Sequence, residues 1–333
     1  MAHGMKSLPM SRYAGTIGAM AENMITKEAV NPFYASYKVT NVCNFQCKFC
    51  NVWYEKTPVL GTDDVFKVLD NLERADVFVL SLEGGDPLCR DDIGQIVEYI
   101  GQEKQYFLLF TTSERDLHEK YPMAELCRNI DFLHISIDEG HDNLEMFDLL
   151  PHIMKWDSIV CVQTVVRDED LPKLESKVAR CHAAGAKIVI MPAVTLNRTK
   201  DFFPEVDRFE AVCLSLKEKY PLTIISPDNY FRSLRQEHGC SSGSIIVDCD
   251  GGLFYPCRTL EDKPINLVDT ELKFWLRGKE ARRMRGEMAV CDRNCGWYQY
   301  YAINDFTSPI HAINAVKPYL SHFFSSPKPN GRS

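Results

Sequence analysis

Three cysteines stand within one short stretch of this 333-residue chain, at the spacing C-x3-C-x2-C. They are Cys43, Cys47 and Cys50, and neither His nor Cys follows them until Cys89. Three thiolates can hold a four-iron cluster while leaving one iron without a protein ligand. Such an iron can bind and reduce a small molecule, so the spacing predicts a reactive cluster rather than one that only carries electrons.

Structural zinc and a disulfide framework are the alternative uses of these thiols. A structural zinc ion takes four ligands, usually as two separated pairs, and the sequence offers no fourth ligand close to Cys50. Disulfides need an oxidising compartment, whereas residues 1–27 contain no apolar core of a secretory signal. We therefore expect a cluster-binding loop in a cytoplasmic protein that must be handled without oxygen.

The aromatic Phe49 precedes the third cysteine, and the whole pattern resembles the signature of the radical S-adenosylmethionine (radical SAM) enzymes. The resemblance implies that S-adenosylmethionine chelates the open iron of a 4Fe-4S cluster and is cleaved to a 5'-deoxyadenosyl radical. It also implies that Phe49 lies at the cofactor and that a reductase such as flavodoxin or ferredoxin supplies the electron.

The elements that must position this loop follow a regular order. Mainly apolar segments alternate with helical stretches between residues 34 and 226, which predicts parallel strands joined by crossover helices and covered on both faces. The prediction is an α/β fold with a partial (β/α)6 TIM-like barrel, the core fold that the family resemblance also implies. The predicted strands are 34–40, 77–83, 107–113, 132–138, 159–166 and 187–194.

Barrels of this kind hold their active sites at the carboxyl ends of the strands. The second strand ends in Gly84-Gly85-Asp86, where the glycines would let the backbone approach a ligand closely. This run resembles the family's Gly-Gly-Glu-Pro motif, with Asp in place of Glu. The resemblance implies that Gly84, Gly85 and Asp86 hold the amino group of the S-adenosylmethionine methionine.

Polar residues also end the fourth and fifth strands. Ser136 and Asp138 resemble the Ser-x-Asp of many family members, which implies contact with the ribose or the carboxylate of the cofactor. Gln163 of the fifth strand is a further candidate for cofactor binding. Hydroxyls and amides at strand ends are also ordinary capping groups, so a purely structural role stays open for these residues.

A second set of cysteines follows residue 226, where the β/α rhythm ends. Residues 240–257 read as two short strands joined at Asp250-Gly251-Gly252, a hairpin turn signal. The Gly-x4-Cys from Gly252 to Cys257 resembles the opening of the SPASM or twitch extension of radical SAM enzymes. The resemblance implies one auxiliary 4Fe-4S cluster, with metal ligands Cys240, Cys257, Cys291 and Cys295.

Spacing alone leaves two alternatives open for this second set. Cys249 lies in the same hairpin and could replace one of the four ligands, and a zinc ribbon would use four cysteines equally well. The aromatic run after Cys295 either lines a pocket or packs around the cluster. The expected domains are an N-terminal helical segment at 1–33, the barrel at 34–226, the small cysteine-rich auxiliary domain at 227–305 and a tail at 306–333. The N-terminal segment could be a helix over the barrel mouth, a lid or a partner-binding arm.

Composition excludes some partners. The 38 basic and 46 acidic residues give a formal net charge of -8, which disfavours binding to a nucleic acid. The sequence contains no apolar run of membrane-spanning length.

The predicted function is hydrogen abstraction from an unidentified small molecule, lipid or peptide. A cluster with four thiolates can accept an electron but cannot chelate substrate, so a net oxidation is expected, either dehydrogenation or a new C–C or C–S bond. The alternative is a non-enzymatic iron–sulfur or zinc protein that transfers electrons or binds a partner. No catalytic side chain can be named from the sequence.

Overall fold

The computed structural model describes residues 6–194, 202–235, 240–241, 243–260, 262–293, 295–302 and 317–319. The strands of these residues form one sheet of nine members. They are β1 Tyr34–Thr40, β2 Val79–Gly84, β3 Phe107–Thr112, β4 Phe132–Ser136, β5 Ile159–Val166, β6 Lys187–Pro192, β7 Ser244–Val247, β8 Gly252–Phe254 and β9 Ile265–Asn266. Their order in the sheet is β6-β5-β4-β3-β2-β1-β7-β8-β9.

The first six strands pair in parallel with their neighbours in the sheet, as the sequence predicts for a partial barrel. The six predicted segments coincide with β1 to β6, and only their ends differ. For example, the second strand runs over Val79–Gly84 instead of 77–83. Most apolar side chains of these strands are buried, as expected for strands covered on both faces.

Helices alternate with these strands and cover the outer face of the sheet. The predicted helix over residues 62–74 is confirmed, and Gly185 ends its helix with a positive φ of 80°. The helices in the described residues are α1 Met10–Thr26, α2 Thr62–Arg74, α3 Ile93–Glu103, α4 Leu117–Lys120, α5 Met123–Leu126, α6 Met146–Ile153, α7 Leu174–Ala184, α8 Val206–Lys219, α9 Asp228–Ser233, α10 Leu272–Trp275, α11 Lys279–Ala289 and α12 Tyr298–Ala302. Among them, none has the length and apolar character that crossing a bilayer requires.

The N-terminal segment is helical as predicted, but it does not lie over the active-site end of the barrel. Leu8 clusters with Phe107 and Ile159, the residues that begin β3 and β5. On α1, Tyr13 packs edge-on against Phe78, immediately before β2, with ring centroids 5.8 Å apart. The segment therefore covers the amino ends of the strands, opposite the edge where the cysteine loop begins.

The predicted hairpin exists, and it is built into the barrel sheet. β7 and β8 pair antiparallel, and the turn between them contains Gly251 at a φ of 80°. β7 also pairs in parallel with β1, with Tyr34 opposite Ser244. The sheet is therefore continuous across the predicted domain boundary at residue 226. The predicted tail at 306–333 lies outside the described residues, apart from 317–319.

The short helix α12 packs against the inner face of the barrel. Tyr298 packs on a cluster formed by Cys161, Val189 and Ile225. Cys161 alternates with Val160 and Val162, which belong to the main core, so it faces the opposite side of the sheet. The segment after the last cysteine therefore fills part of the barrel interior.

Candidate active site

The three clustered cysteines face one cavity. Cys43, Cys47 and Cys50 line a space of about 170 Å³ at the carboxyl ends of the first strands. The backbone N–H of Cys50 donates to the carbonyl of Cys47 at 3.1 Å. The N–H of Phe45 donates to the sulfur of Cys43 at 3.4 Å, a contact that stabilises a thiolate. The loop thus presents its thiols together, as the spacing predicts.

These residues fit a four-iron cluster with three protein ligands, because the donor set is three thiols at one wall of a cavity that leaves room for a ligand. Burial raises the pKa of the Cys43 thiol to about 12, so binding to iron is what would remove its proton at neutral pH. In the residues that the structure describes, no three His, Cys, Asp or Glu side chains are arranged to hold a single metal ion.

Gly84 and Gly85 line the same cavity, but the structure gives a different reason for the glycines. A Cβ on Gly84 would lie 2.1 Å from the carbonyl oxygen of Thr40, and one on Gly85 would lie 2.0 Å from that of Val42. The N–H of Gly85 donates to the Thr40 carbonyl at 2.8 Å. The close approach that requires glycine is therefore to the backbone that leads into the cysteine loop.

Asp86 is not among the residues that line the cavity, and its direct contact with the cofactor stays a prediction. Its side chain is buried and accepts hydrogen bonds from the Thr112 hydroxyl at 2.8 Å and from the N–H groups of Ser113 and Leu88 at 2.8 and 3.0 Å. Thr112 and Ser113 do line the cavity. Asp86 therefore acts as a positioning residue for the end of β3.

Asp138 is also buried and is not part of the cavity lining. Its carboxylate accepts hydrogen bonds from protein groups. It accepts from the N–H groups of His141 and Val165 at 3.0 and 3.1 Å, and its Oδ1 lies 2.8 Å from Nδ1 of His141. The pKa of Asp138 is lowered: burial would raise it, but the bonds to His141 and Val165 outweigh burial. His141 itself lines the cavity, and it was not among the residues predicted from the sequence.

The other predicted cofactor residues divide between the cavity and its surroundings. Phe49 and Ser136 line the cavity. Phe49 packs so closely on Gly140 that a Cβ there would lie 2.2 Å from its ring. Gln163 lies opposite Ser136 in the sheet and is not part of the described lining. Its carbonyl accepts from the N–H of Ile137 at 2.9 Å.

A second cavity residue that the sequence reading missed is Glu83, the last side chain before the two glycines. Its carboxylate accepts from the Ser36 hydroxyl and from Nε2 of Gln299 at 3.2 Å. Burial raises the pKa of Glu83 to about 7, although the bond from Gln299 and the nearby Lys38 ammonium oppose the rise. The signal in the sequence is an acidic side chain at the end of an otherwise apolar strand.

The structure brings together four of the C-terminal cysteines. The Cys240 thiol interacts electrostatically with those of Cys295, Cys257 and Cys291, and burial followed by these neighbours raises its pKa. Cys249 lies elsewhere, with its sulfur 3.8 Å from the carbonyl oxygen of Thr57. The four thiols that the resemblance implies are therefore near enough to influence one another, and their binding of a shared cluster stays a prediction.

Two tyrosines from the aromatic run pack beside these thiols. Tyr300 is 1% exposed, and the hydroxyl of its ring accepts from the N–H of Arg258 at 2.9 Å. The thiols of Cys257, Cys240 and Cys295 contribute to the rise in the pKa of Tyr300, after burial as the main cause. The pKa of Tyr301 is raised by the same causes, burial first and then the nearby cysteines. These two side chains pack in the core near the cysteines, and they are not part of the lining of the cavity at the cysteine loop.

Comparison with known proteins identifies the class. The profile of the Radical SAM superfamily matches residues 37–208, just over half of the chain. The chain therefore belongs to the radical SAM superfamily. The matched segment contains the end of β1, the cysteine loop and β2 to β6.

Individual relatives are distant. The chain is 23% identical over 233 residues to a GTP 3',8-cyclase of Clostridium botulinum, covering 67% of this chain and 66% of the relative. It is 28% identical over 101 residues to an S-adenosylmethionine-dependent nucleotide dehydratase of Selenomonas ruminantium, covering 30% and 37%. Among the first curated relatives, the chain spans from 20% to 66% of their lengths.

Solved structures share the fold. Streptococcus suis SuiB bound to the precursor peptide SuiA aligns with a TM-score of 0.61 at 11% identity, covering 83% of this chain and 74% of SuiB. The structure of anSMEcpe with bound AdoMet and the Cp18Cys peptide aligns with a TM-score of 0.62 at 12% identity, covering 88% and 97%. The likeness thus extends beyond the six-stranded barrel.

Proposed function

We propose that this protein cleaves S-adenosylmethionine reductively at a 4Fe-4S cluster held by Cys43, Cys47 and Cys50, and that the resulting 5'-deoxyadenosyl radical abstracts hydrogen from a substrate. When bound, the cluster supplies the electron and an open iron for the cofactor. The observation that carries the proposal is that three thiols and the backbone of Gly84 and Gly85 line one cavity in a radical SAM chain.

The protein's own residues bind and position the cofactor in this proposal. Phe49, Gly84, Gly85 and Ser136 contact it, because they line the cavity beside the thiols. The buried carboxylates act behind them: Asp86 fixes the hydroxyl of Thr112, and Asp138 fixes the ring of His141. Contact of Gln163 with the cofactor stays a prediction.

An auxiliary 4Fe-4S cluster at Cys240, Cys257, Cys291 and Cys295 is the second part of the proposal. The electrostatic influence of the Cys257, Cys291 and Cys295 thiols on that of Cys240 supports this ligand set. With four thiolates, the cluster accepts an electron from a substrate radical and leaves a net two-electron oxidation, either a dehydrogenation or a new C–C or C–S bond. The reductant is a protein such as flavodoxin or ferredoxin, and the cytoplasm is the compartment that suits reduced thiols.

The side chains that line the cavity limit the class of substrate that fits it. The matched relatives carry nucleotide names, and the two solved structures hold peptides. In the described part of the chain the cavity is lined by the carboxyl of Glu83 and by neither Lys nor Arg, and the ring of His141 is engaged by Asp138, so a triphosphate would find no Lys or Arg partner there. A neutral or cationic group with N–H or O–H donors fits better, whether it belongs to a small molecule, a lipid or a peptide.

The decisive test is reductive cleavage of the cofactor. Anaerobically reconstituted protein with dithionite and S-adenosylmethionine should release 5'-deoxyadenosine and methionine, measured by liquid chromatography and mass spectrometry. The triple variant Cys43→Ala, Cys47→Ala, Cys50→Ala should release none and should retain about four of about eight irons, since one of two four-iron clusters is lost.

The non-enzymatic alternative predicts the opposite results. A protein that only carries electrons or binds a partner would leave the spectrum of the reduced cluster unchanged when S-adenosylmethionine is added. Bound zinc with little iron would point to the same alternative, and metal analysis of the purified protein decides this directly.

A further inference from the structure

The N-terminal helix α1 has its polar side chains against the protein and its apolar side chains outside. Its buried residues are Arg12 and Thr16. The Arg12 guanidinium donates to two backbone carbonyls of the segments that enter β2 and β3. Met10, Ile17 and Ile25 are instead 80%, 68% and 82% exposed. A surface helix of a globular protein normally has its apolar face against the core, so the inverted pattern of α1 indicates an apolar environment outside the protein.

The exposed apolar residues of α1 form one continuous face, called here the α1 outer face. It consists of Met10, Ala14, Ile17, Ala21, Met24 and Ile25. Their spacing along a helix of 3.6 residues per turn places all of them within an arc of about 100°. The helix contains two charged residues, and both lie outside this arc. Arg12 is buried, and Glu22 is bonded to Asn31 and Arg277.

A basic surface adjoins the α1 outer face. Nη2 of Arg277 lies 2.9 Å from Oε2 of Glu22, and Nε of Arg282 lies 3.3 Å from Oε1 of Glu28, two positions after α1. Residues 271–289, which include α10 and α11, contain six cations and three carboxylates, whereas the whole chain has a formal net charge of -8. The helix α1 and the two residues after it add two charges of each sign. The surface beside α1 is therefore positive on an otherwise acidic protein.

The size of the α1 outer face limits what can cover it. A helix of 17 residues is about 26 Å long and about 10 Å wide, so this face offers roughly 260 Å². A stable protein–protein interface takes about 800 Å² from each partner. A lipid surface has no such minimum, because an amphipathic helix binds it through apolar area together with the attraction of nearby cations to anionic headgroups.

We propose that α1 and the basic surface of α10 and α11 attach this protein to an anionic lipid surface. The α1 outer face enters the boundary between headgroups and acyl chains, while the exposed Lys27, Arg282 and Arg283 lie at the headgroups. Phe274 on α10, which is 71% exposed, adds a further apolar contact. Because the N-terminal segment covers the amino ends of the strands, the cavity at their carboxyl ends faces away from the lipid. The inference therefore goes beyond the proposed function and does not depend on it.

The experiment is co-sedimentation of the reconstituted full-length protein with vesicles, in the absence of oxygen and at low ionic strength. One set of vesicles contains phosphatidylcholine alone, and the other contains phosphatidylcholine and phosphatidylglycerol in equal amounts. The parent should bind the mixed vesicles at least about tenfold more tightly, because several cations near an anionic surface each strengthen binding. Added salt should weaken this binding, since it screens the headgroups.

Substitutions in α1 test the apolar contribution. The double variant Ile17→Gln, Ile25→Gln should bind the mixed vesicles at least about tenfold more weakly, because two apolar side chains no longer enter the lipid. Leu222→Gln is the matched control, since Leu222 is 55% exposed and lies outside α1, and it should bind like the parent. All these side chains are exposed, so circular dichroism and iron content should match the parent.

Substitutions in α11 test the charge contribution. Arg282 and Arg283 are exposed, and each is paired with a glutamate. The double variant Arg282→Gln, Arg283→Gln should bind the mixed vesicles at least about fivefold more weakly and phosphatidylcholine vesicles as the parent does. The control Arg180→Gln, Arg208→Gln removes two exposed arginines of α7 and α8 that are also paired with carboxylates, and it should bind like the parent.

Four results would overturn the inference. A parent that does not sediment with mixed vesicles has no lipid at this surface, and full binding in Ile17→Gln, Ile25→Gln would place the contact elsewhere. Equal weakening in the two arginine double variants would make the attraction unspecific. A dimeric parent that ignores vesicles and becomes monomeric with the isoleucine substitutions would assign the α1 outer face to a second copy. If cofactor cleavage fails but vesicles bind as stated, the proposed function falls and this inference stands.

Discussion

Two buried carboxylates organise the candidate site without lining it. Asp86 is bonded to Thr112, Ser113 and Leu88, and Asp138 is bonded to His141 and Val165. Each carboxylate ties a loop at the carboxyl end of one strand to a neighbouring segment. Removing such a buried acceptor leaves its donors without partners, which destabilises the fold by about 1–3 kcal/mol for each unsatisfied group. Their function is therefore to fix the geometry of the residues that do face the cavity.

The Glu83 carboxyl should titrate near neutral pH, because burial raises its pKa to about 7. Its protonated form is favoured in the folded protein, so a carboxylic acid C=O band should appear as the pH falls through 7. Difference infrared spectra of the parent between pH 8 and pH 6 should contain this band, and Glu83→Gln should lack it.

A matched control is Glu98→Gln, which changes an exposed carboxyl on α3. This variant should keep the band of the parent. Absence of any protonated carboxyl in the parent between pH 6 and pH 8 would contradict the assignment of a partly neutral Glu83 at the cavity.

At this scale the sequence predicted residue types better than side-chain directions. It located Ser136 and Asp138 at the end of a strand, but not that one would face the cavity and the other would turn to His141. Glu83 was missed because its strand reads as a buried one, and its partner Gln299 is 216 positions away. Contacts of that separation leave no local pattern.

Among the elements, the ends of β1 and β2 depend on each other. The N–H groups of Gly85 and Asp86 donate to the carbonyls of Thr40 and Val42, both at 2.8 Å. Val42 immediately precedes the first cysteine of the loop. The cysteine loop therefore leaves the sheet along a path that is fixed by the glycine turn of the next strand.

Gly85→Ala should displace this path and lose the cluster at the loop. The new Cβ would lie 2.0 Å from the Val42 carbonyl, and overpacking of this kind costs about 1–3 kcal/mol. The reconstituted variant should hold about four irons instead of about eight, because only the auxiliary cluster would remain. Gly94→Ala is the matched control, since a Cβ there meets nothing within 4 Å. Full iron content in Gly85→Ala would refute the dependence.

A buried ion network joins β1 to the C-terminal strands. Nζ of Lys38 lies 2.7 Å from Glu55 and 2.9 Å from Asp248, which follows β7. Lys263 lies 2.8 Å from the same Asp248. Burial would raise the pKa of Asp248, but Lys38 and Lys263 outweigh it and hold the pKa at about 2. This carboxylate therefore stabilises the fold above about pH 4, and that contribution is lost as the pH falls towards 2.

Lys38→Met should destabilise the protein strongly, because it removes the cation that the buried Asp248 and the partly buried Glu55 share. Breaking a buried pair by removing one partner costs about 3–5 kcal/mol. At pH 7 the apparent melting temperature, measured without oxygen, should fall by several degrees. Lys67→Met removes an exposed pair with Asp64 and should change it little. Equal melting temperatures for the two variants would show that the network is not stabilising.

At the scale of the whole molecule, the C-terminal residues form part of the barrel. β7 extends the parallel sheet beside β1, and α12 reaches its interior, where Gln299 bonds to Glu83. Periodicity predicted the barrel and the hairpin, because both depend on local alternation. It could not predict the pairing of Tyr34 with Ser244, since this pairing depends on packing between distant segments. The two sets of cysteines are therefore linked through a continuous sheet and one short helix.

The auxiliary ligand set can be tested by counting iron, because the structure separates Cys249 from the other thiols. The Cys257 thiol influences that of Cys240 electrostatically, whereas the sulfur of Cys249 lies 3.8 Å from the Thr57 carbonyl. Cys257→Ala should therefore lose about four of about eight irons. Cys249→Ala should keep all of them.

The helix α12 connects the C-terminal cysteines to the barrel cavity, so the same variants also test whether losing the auxiliary cluster affects the reaction in the barrel. Tyr300 and Gln299 are adjacent in this helix. The pKa of Tyr300 responds to the C-terminal thiols, and Gln299 donates a hydrogen bond to Glu83. Loss of the auxiliary cluster in Cys257→Ala should loosen this helix and lower the yield of substrate product more than the release of 5'-deoxyadenosine. The opposite result would contradict the proposed ligand set. If Cys249→Ala lost four irons and Cys257→Ala kept its full iron content, Cys249 would be the ligand instead of Cys257.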